Sequence, residues 1–478
     1  MSVIFDRNKK EEMDSKYIFM LAFMMALFSA GLPPETVLLK VSNKDSFHPY
    51  LKVFRRIKNL VSGFRYKFSQ GINYAIRNSK VKFLSEFLVR LSQAVTFGDD
   101  MVQFLEREID FSLAEYSSHS ARVIESMNNF LTVYATLNSS LAFLVADMTV
   151  LSVLYSGGSS ILLQIFFLST VILVNLTVIM YYIYKPESYM RYSSRDRLLL
   201  TALILLGIAL NLTYTSFITM IITGVLYLGV GMRYRIFENK INNLERYFLL
   251  FTRYFTRNYS VVNNLKESLM AVLRGDLGSA KPMIRRALNR LNLGVNKSKI
   301  FSLMGRESKS VLVTMLSEIL YETISNGGNM LITGEILSKI GDVVLNIRAR
   351  KEKNGRAFEA SIYALQVSSA GVSAALISIT SMLNNLFSIG ELASVIAFNP
   401  IDIGFVSKIF LIMLFVMSFA NGMAISLAYG KSIYASLYFI GLLMIMSAIS
   451  YYVILTLTAQ LFQAFSSGGI ISGIQNTT

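Results

Sequence analysis

The chain has 478 residues, 53% of them apolar, and a mean hydropathy of +0.49, values that exclude a water-soluble globular protein of this length. It carries a net charge of +16, two histidines and no cysteine. Ordinary zinc and thiol chemistry is therefore nearly excluded, and we predict no metal and no other cofactor.

The first predicted element is an uncharged run at 17–32, which ends in Gly31-Leu32-Pro33-Pro34. A membrane-spanning helix needs about 20 apolar residues, so this run is short for a span. We predict a buried helix of a soluble helical bundle instead of a membrane anchor. Its expected neighbour is a later helix whose apolar residues recur at helical spacing from Phe83 to Val95.

A basic stretch without acidic residues follows at 52–82. Such a cluster raises the rate of association with an acidic partner. The candidate docking residues in this stretch are Arg55, Arg56, Lys58, Arg65 and Lys67. A solvated face beside anionic headgroups is the alternative interpretation.

Seven later segments are long and apolar enough to span a membrane. They are 131–155, 161–184, 198–215, 217–232, 361–387, 404–429 and 432–458. The third and fourth are short and form a candidate hairpin. Asp147 is the ionisable residue placed well inside a span, which makes it a functional candidate. Asparagines in or near the spans add polar positions: Asn138, Asn175, Asn211, Asn384, Asn385 and Asn421.

The hydrophilic segment at 233–357 repeats the segment at 1–130 with an offset of about 230 residues. FRRIKN at 54–59 matches IRRALN at 284–289, LSE at 84–86 matches LSE at 316–318, and Gly98 is paired with Gly328. The counterpart of the run at 17–32 directly follows Arg246 and contains Arg253 and Arg257, so it cannot be a span. Each copy is predicted to be a small antiparallel helical bundle.

A second acid-free basic stretch lies between Asp276 and Glu307. Its candidate docking residues are Lys281, Arg285, Arg286, Arg290, Lys297 and Lys299. The arginine pair of the first copy recurs here in the same register, which favours a binding role for both pairs. We expect the second copy to dock more strongly, because 233–357 has 22 basic and 10 acidic residues, against 18 and 14 in the first copy.

Charge asymmetry orients the chain. Of 46 lysines and arginines, 44 lie in 1–129, 185–197 and 233–357, and none lies in 156–160, 385–403 or 459–478. Positive residues stay on the cytoplasmic side. We therefore predict cytoplasmic domains at 1–130 and 233–357, a membrane block of about four helices at 131–232 with a basic cytoplasmic loop at 185–197, a second block at 358–458, and an external tail at 459–478.

Two helical cytoplasmic copies, each followed by membrane helices, resemble the type II secretion F-domain family, the membrane platform of type IV pili and type II secretion. The motifs that carry the resemblance are FSAGLPPETVL and LSEFLVRLSQAVTFGDDM. Bacterial members usually have three spans, so seven spans resemble the archaeal branch, the platform of the archaellum or of archaeal pili. The resemblance implies a non-enzymatic homodimer that couples a cytoplasmic hexameric secretion-type ATPase to assembly of pilin- or archaellin-like filament subunits, with rotation left open.

Three other functions fit the sequence less well. Gly430-Lys431-Ser432 resembles the end of a P-loop, but Ile425 stands where the first glycine is required, so we predict a turn. A basic membrane-bound bundle without a reading motif is not expected to bind nucleic acid. The main rival is a transporter or channel component that uses Asp147, although transporters usually cluster charges near the midplane.

Overall fold

The computed structural model of the protein describes residues 13–77, 81–154, 158–184, 194–387 and 402–467. Within these ranges the chain is helical and has no β-strand, which confirms the predicted all-α class. The predicted basic loop at 185–197, the short loop at 156–160, the segment 385–403 and the tail at 459–478 lie wholly or partly outside these residues.

The α-helices of the described residues are numbered in chain order. They are α1 (Ser15–Phe28), α2 (Pro34–Ser42), α3 (Leu51–Lys58), α4 (Phe68–Arg77), α5 (Lys82–Phe97), α6 (Met101–Leu154), α7 (Gly158–Ile183), α8 (Ser194–Thr213), α9 (Phe217–Val262), α10 (Leu265–Leu273), α11 (Lys281–Asn292), α12 (Lys297–Ser308), α13 (Val311–Asn326), α14 (Met330–Phe387), α15 (Ile403–Ala428) and α16 (Ile433–Ser467). Short 3₁₀ turns at Asp45–Phe47 and Gly278–Ala280 precede α3 and α11.

Seven of these helices (α6, α7, α8, α9, α14, α15 and α16) are long and apolar enough to cross a membrane. This agrees with the seven predicted spans and defines a polytopic membrane protein. The described residues of 1–123 and 238–349 form one compact unit, and those of 124–188, 192–237 and 350–478 form another. We call them the hydrophilic unit and the membrane unit. Both copies of the repeat therefore lie in one compact unit instead of forming two separate bundles.

Helix α1 is buried on every side in the hydrophilic unit, as its apolar sequence predicts. Asp14 caps its N-terminus by accepting a hydrogen bond from the Tyr17 amide at 3.0 Å. The Tyr17 ring packs edge-to-face on Phe83, with centroids 4.9 Å apart, so the expected neighbour is confirmed. At 14 residues α1 is about 21 Å long, which is shorter than the roughly 30 Å apolar core of a bilayer.

The helices of the two copies follow one another in the same order. Helices α2 to α6 correspond to α10 to α14, and α1 corresponds to the second half of α9. The longest helices of the two copies begin at Met101 and Met330, which are 229 residues apart. In the first copy α1 is a separate helix, whereas its counterpart continues without a break from a candidate span.

The pairing of Gly98 with Gly328 is wrong by one residue. Helix α5 ends at Gly98 with φ +75°, and α13 ends at Gly327 with φ +71°. A left-handed residue at this position favours glycine, so the equivalent residue is Gly327. Gly328 has a different role, because a Cβ atom there would lie 2.7 Å from the Ala26 carbonyl oxygen of α1.

Helix α15 is the most buried candidate span of the membrane unit and packs against α7 and α16. Two apolar clusters surround it, one around Leu414 and Ile440 and the other around Ile425 and Phe439. Because lipid is as apolar as these side chains, polar contacts and close packing give such a bundle its specificity.

Candidate docking surface and membrane polar cluster

In the hydrophilic unit, polar contacts around one carboxylate join the two copies of the repeat. Glu322 of α13 accepts a hydrogen bond from Lys40 of α2 at 2.9 Å and forms an ion pair with Lys44 at 2.9 Å. Burial raises the pKa of Glu322, but the hydrogen bonds from Lys44 and Lys40 outweigh this effect and hold its pKa below the ordinary value. Ser46 donates to Glu318 at 2.7 Å one turn earlier on α13.

The duplicated arginine pairs lie at equivalent places on α3 and α11. Arg55 and Arg56 are exposed next to the buried Ile57, and Arg285 and Arg286 are exposed next to the buried Ala287. An apolar stripe anchors each short helix, so the arginines have to point outward. The predicted register of the two pairs is therefore present in the structure.

Four of the predicted docking residues bind partners within the unit. The Arg55 side chain donates to Asp45 and to the Ser42 carbonyl oxygen, both at 3.1 Å, and Lys58 donates to the Asn43 side chain at 3.4 Å. In the second copy Arg286 and Arg290 both pair with Glu307. These four cations help to hold their helices in place and are less available to a partner.

Glu307 shows the strength of this local pairing. Partial burial raises the pKa of its carboxyl group, but hydrogen bonds from Arg290 and Arg286 outweigh that effect and lower the pKa. The sequence placed Glu307 at the edge of the basic stretch. In the folded chain Glu307, on α12, contacts α11 and pairs with Arg290, which lies 17 positions earlier in the sequence.

The remaining predicted cations make no ion pair within the described ranges. They are Arg56, Arg65, Lys67, Lys281, Arg285, Lys297 and Lys299. Apart from Lys281, which is half-buried, all of them are exposed. The structure thus separates the predicted docking residues into a paired group and an unpaired group.

A large apolar side chain stands exposed at the equivalent turn of each copy. Phe64, between α3 and α4, is 73% exposed, and Leu293, between α11 and α12, is 81% exposed. They are 229 residues apart, the offset that also relates Met101 to Met330. In both turns the next residue, Arg65 or Gly294, has a positive φ. Sequence reasoning selected the cations here and missed the apolar side chains between them.

In the second copy, packing contacts show which end of the helices carries this turn. Gly305 packs on Thr314, and the rings of Phe301 and Tyr321 lie 6.1 Å apart, so α12 and α13 are antiparallel. The start of α12 therefore lies level with the end of α13, where α14 begins. Leu293 is accordingly at the end of the unit where α14 begins, away from Ala349, where that helix leaves it.

The membrane unit contains a buried polar cluster centred on Asn421. Its side-chain oxygen accepts hydrogen bonds from Tyr134 and from Asn138, both at 2.9 Å. Its amide nitrogen donates to Gln366 at 2.6 Å, and Gln366 donates in turn to Ser447 at 2.9 Å. Amides in lipid are retained where they pair, so this cluster fixes the relative positions of α6, α14, α15 and α16.

Two residues of this cluster come from corresponding helices of the repeat. Asn138 lies on α6 and Gln366 on α14, within one residue of the 229-residue offset, and both bind the same Asn421. From the sequence, Asn138 and Asn421 were identified as polar positions. Neither Gln366 nor the hydrogen bonds that join these side chains were predicted. A hydrogen bond between residues 283 positions apart leaves no signature in a single sequence.

Asp147 lies apart from this cluster, on an exposed face of α6 next to Phe143 and Leu144. It makes no ion pair or hydrogen bond with the described residues. Transport sites in membranes usually group charged side chains inside the bundle. Among the described residues of this unit the fully buried polar side chains are neutral amides and hydroxyls, and Asp147 is not one of them.

Comparison with known proteins agrees with the resemblance seen in the sequence. Residues 20–149 match the family described as type II secretion system (T2SS), protein F, so the chain carries a domain of this family. The match begins in α1 and ends inside the span of α6. No solved structure matches the chain significantly.

Two archaeal relatives are both named flagella accessory protein J. The protein of Methanocaldococcus jannaschii is 23% identical over 328 residues, covering 64% of this chain and 58% of that protein. The protein of Methanococcus voltae is 23% identical over 388 residues, covering 74% of this chain and 68% of that protein. The chain thus spans less than two thirds of the first relative. The predicted resemblance to the archaeal branch is confirmed.

Proposed function

We propose that this chain is the membrane platform of a type IV pilus-like or archaellum assembly machine. It couples a cytoplasmic hexameric secretion-type ATPase to assembly of pilin-like filament subunits, and it performs no catalysis itself. The observation that carries the proposal is the duplicated surface of the hydrophilic unit, where equivalent turns present an exposed apolar side chain among unpaired cations. The protein F domain and the archaeal relatives support the same function.

The chemistry of this surface fits an acidic protein partner. Arg56 and Arg285 are exposed and free of ion pairs among the described residues, so they can attract a negative surface over a distance of about 8 Å at physiological salt. Phe64 and Leu293 can then supply the apolar contacts that usually carry most of the binding energy at an interface. A partner with repeated subunits, such as a hexamer, can offer the same pocket to both copies.

The docking proposal is tested by binding the full chain in nanodiscs to the secretion-type ATPase of the same genome. Arg56→Glu with Arg285→Glu should weaken binding, and should also reduce the dependence of binding on salt. Phe64→Ser with Leu293→Ser should weaken binding while the salt dependence stays. Arg107→Glu is the control, because Arg107 is also exposed but lies on α6 and belongs to neither turn.

Arg286 is unsuitable for this test, although the sequence alone favours it. A glutamate at this position would face Glu307 and would loosen α11 on α12. Unchanged binding by both double variants would contradict docking at these turns. A wild-type chain that bound no ATPase, or a gene deletion that left filaments intact, would contradict the platform function itself.

Sidedness forms a further part of the proposal. We place both copies in the cytoplasm and the C-terminus outside, because the basic residues lie in 1–129, 185–197 and 233–357. The chain has no cysteine, so single introduced cysteines report their own accessibility. Ser62→Cys should be protected from an impermeant thiol reagent in intact cells, whereas Ser472→Cys should be labelled. The reverse pattern would invert the topology.

A further inference from the structure

Helix α6 has two different faces in the membrane unit. One face is buried and contacts α15 through the hydrogen bonds of Tyr134 and Asn138 to Asn421. The other face is exposed, at positions that recur four and three residues apart, the spacing of side chains that pack between helices. These positions are Val133, Leu137, Ser140, Leu144, Asp147 and Leu151. The exposed face therefore has the pattern of a second packing surface.

A carboxylate in this face does not suit a surface that is covered by lipid. Asp147 is exposed and makes no ion pair or hydrogen bond with the described residues. One turn to either side lie Leu144 and Leu151, which are 42% and 41% exposed. Asp147 lies about 10 Å before the end of α6 at Leu154, well inside the predicted span. A charge at this depth is costly unless it is paired, and an aspartate side chain is too short to extend to the headgroups.

The chain itself does not supply the missing cation. No lysine or arginine lies in the loops expected at the same end of the spans, which are 155–160, 214–216, 385–403 and 459–478. Lys408, inside α15, is exposed and makes no ion pair with the described residues. It lies only about 7.5 Å from the start of α15 at Ile403, so its long side chain can extend to the headgroups. A cation for Asp147 is therefore expected from another molecule.

We propose that the exposed face of α6 binds a transmembrane helix of another protein, and that this helix carries a lysine or arginine at the depth of Asp147. A helix is the element that brings a cation to this depth, because it satisfies its own backbone hydrogen bonds in lipid. Ser140, two turns before Asp147, is small and lets the two backbones approach closely. The charge of Asp147 gives this contact its specificity. This interface is independent of the proposed platform function.

Photocross-linking in native membranes tests the interface with the full chain. A photoreactive amino acid replaces Leu144 in the exposed face of α6. The matched control replaces Leu205 on α8, which is 67% exposed on another apolar surface. Leu144 should give a discrete adduct with another protein, whereas Leu205 should give mainly lipid adducts.

Substitutions of the carboxylate test whether its charge holds the partner. Asp147→Asn should lower the yield of the protein adduct several-fold, and Asp147→Glu, which keeps the charge, should retain most of it. The amount of chain in the membrane, measured on the same samples, controls for insertion. An unchanged yield in Asp147→Asn would overturn the proposal, as would lipid adducts alone at Leu144.

Mass spectrometry of the adduct then tests the predicted chemistry of the partner. The linked peptide should belong to a transmembrane segment that contains a lysine or arginine. Asp147→Lys should abolish the adduct, and changing that basic residue of the partner to glutamate should restore it. A linked segment without a basic residue, or links only to a second copy of this chain, would overturn the proposal. Loss of filament assembly with the adduct intact would affect the proposed function and not this interface.

Discussion

The two copies of the repeat share an order of helices but differ in their buried polar groups. In the first copy Arg90 of α5 binds Glu108 of α6 through two hydrogen bonds of 2.6 and 2.8 Å. The residues 229 positions later are Ile319 and Leu337, both fully buried. In the second copy Glu245 is fully buried, pairs with Arg348 and accepts a hydrogen bond from Ser310 at 2.5 Å.

This difference shows that helix order and helix packing can be conserved separately from the polar contacts. Apolar periodicity defines each helical face, and either an ion pair or two apolar side chains can occupy the same crossing of two helices. Burial also differs. The first copy covers one face of α13 in the second copy, whereas the equivalent face of α5 is exposed. The two copies therefore share their order of helices but differ in the side chains that they bury.

Removing the buried charge of the second copy should have the largest effect. Glu245→Ala removes the buried carboxylate that pairs with Arg348, and loss of one member of a buried ion pair typically costs about 3–5 kcal/mol. The midpoint of thermal unfolding, followed by circular dichroism at 222 nm in detergent, should fall markedly. Glu245→Met with Arg348→Leu should recover much of the loss. A small effect of Glu245→Ala would mean that water replaces the carboxylate.

Breaking the contact between the copies should have the next largest effect. Glu322→Gln weakens the hydrogen bonds from Lys40 and Lys44, and hydrogen bonds to charged groups contribute about 1.5–3 kcal/mol. Gln93→Glu in the first copy is the matched control. It places a carboxylate at the equivalent open position and should leave the unfolding midpoint nearly unchanged.

The same carboxylate predicts a dependence on pH. The pKa of Glu322 is below its ordinary value of 4.5 in the folded chain. Its stabilising effect is therefore fully present above pH 4.5 and is lost as the pH falls through the lower, folded-state pKa. Wild-type protein should lose stability more steeply below pH 4.5 than Glu322→Gln does. Parallel pH profiles for the two proteins would contradict the assignment.

A smaller effect is expected at the close approach of α1 to the second copy. Gly328→Ala places a Cβ atom 2.7 Å from the Ala26 carbonyl oxygen, and overpacking typically costs about 1–3 kcal/mol. Because the neighbour is backbone, it cannot rotate away. Asp99→Ala, the equivalent change in the first copy, should not alter the unfolding midpoint. Equal effects at both positions would contradict the exposure of this face of α5.

The smallest effect is expected when the ion pair of the first copy is replaced by the apolar side chains that occupy the equivalent positions of the second copy. Arg90→Ile with Glu108→Leu reproduces the second copy at this crossing, and replacing an ion pair with apolar groups is often neutral or stabilising by about 1–4 kcal/mol. Arg90 is 40% exposed, so we expect the lower end of this range. A strong loss of stability would show that the two copies need different interiors.

The parts of this fold that local patterns determine could be predicted from the sequence. Apolar runs predicted the seven spans, and the length of 17–32 together with its arginine-containing counterpart predicted that α1 is buried. Pairings across long stretches could not be predicted. Glu307 holds Arg286 and Arg290, and Glu322 joins the copies, because folding brings together residues that the sequence separates. Asp147 was selected for its charge, whereas the buried polar cluster around Asn421 consists of neutral amides and hydroxyls.

The position of Asn421 has a consequence for how the protein is made. Asn421 lies on the sixth of the seven candidate spans in the described residues, and Asn138 lies on the first. During synthesis the first span enters the bilayer while its amide partner, 283 residues later, does not yet exist. Gln366 precedes the same Asn421 side chain by only 55 residues, so it lacks this partner for a shorter time. The membrane helices can therefore adopt their final register only after α15 has been made and inserted between its neighbours.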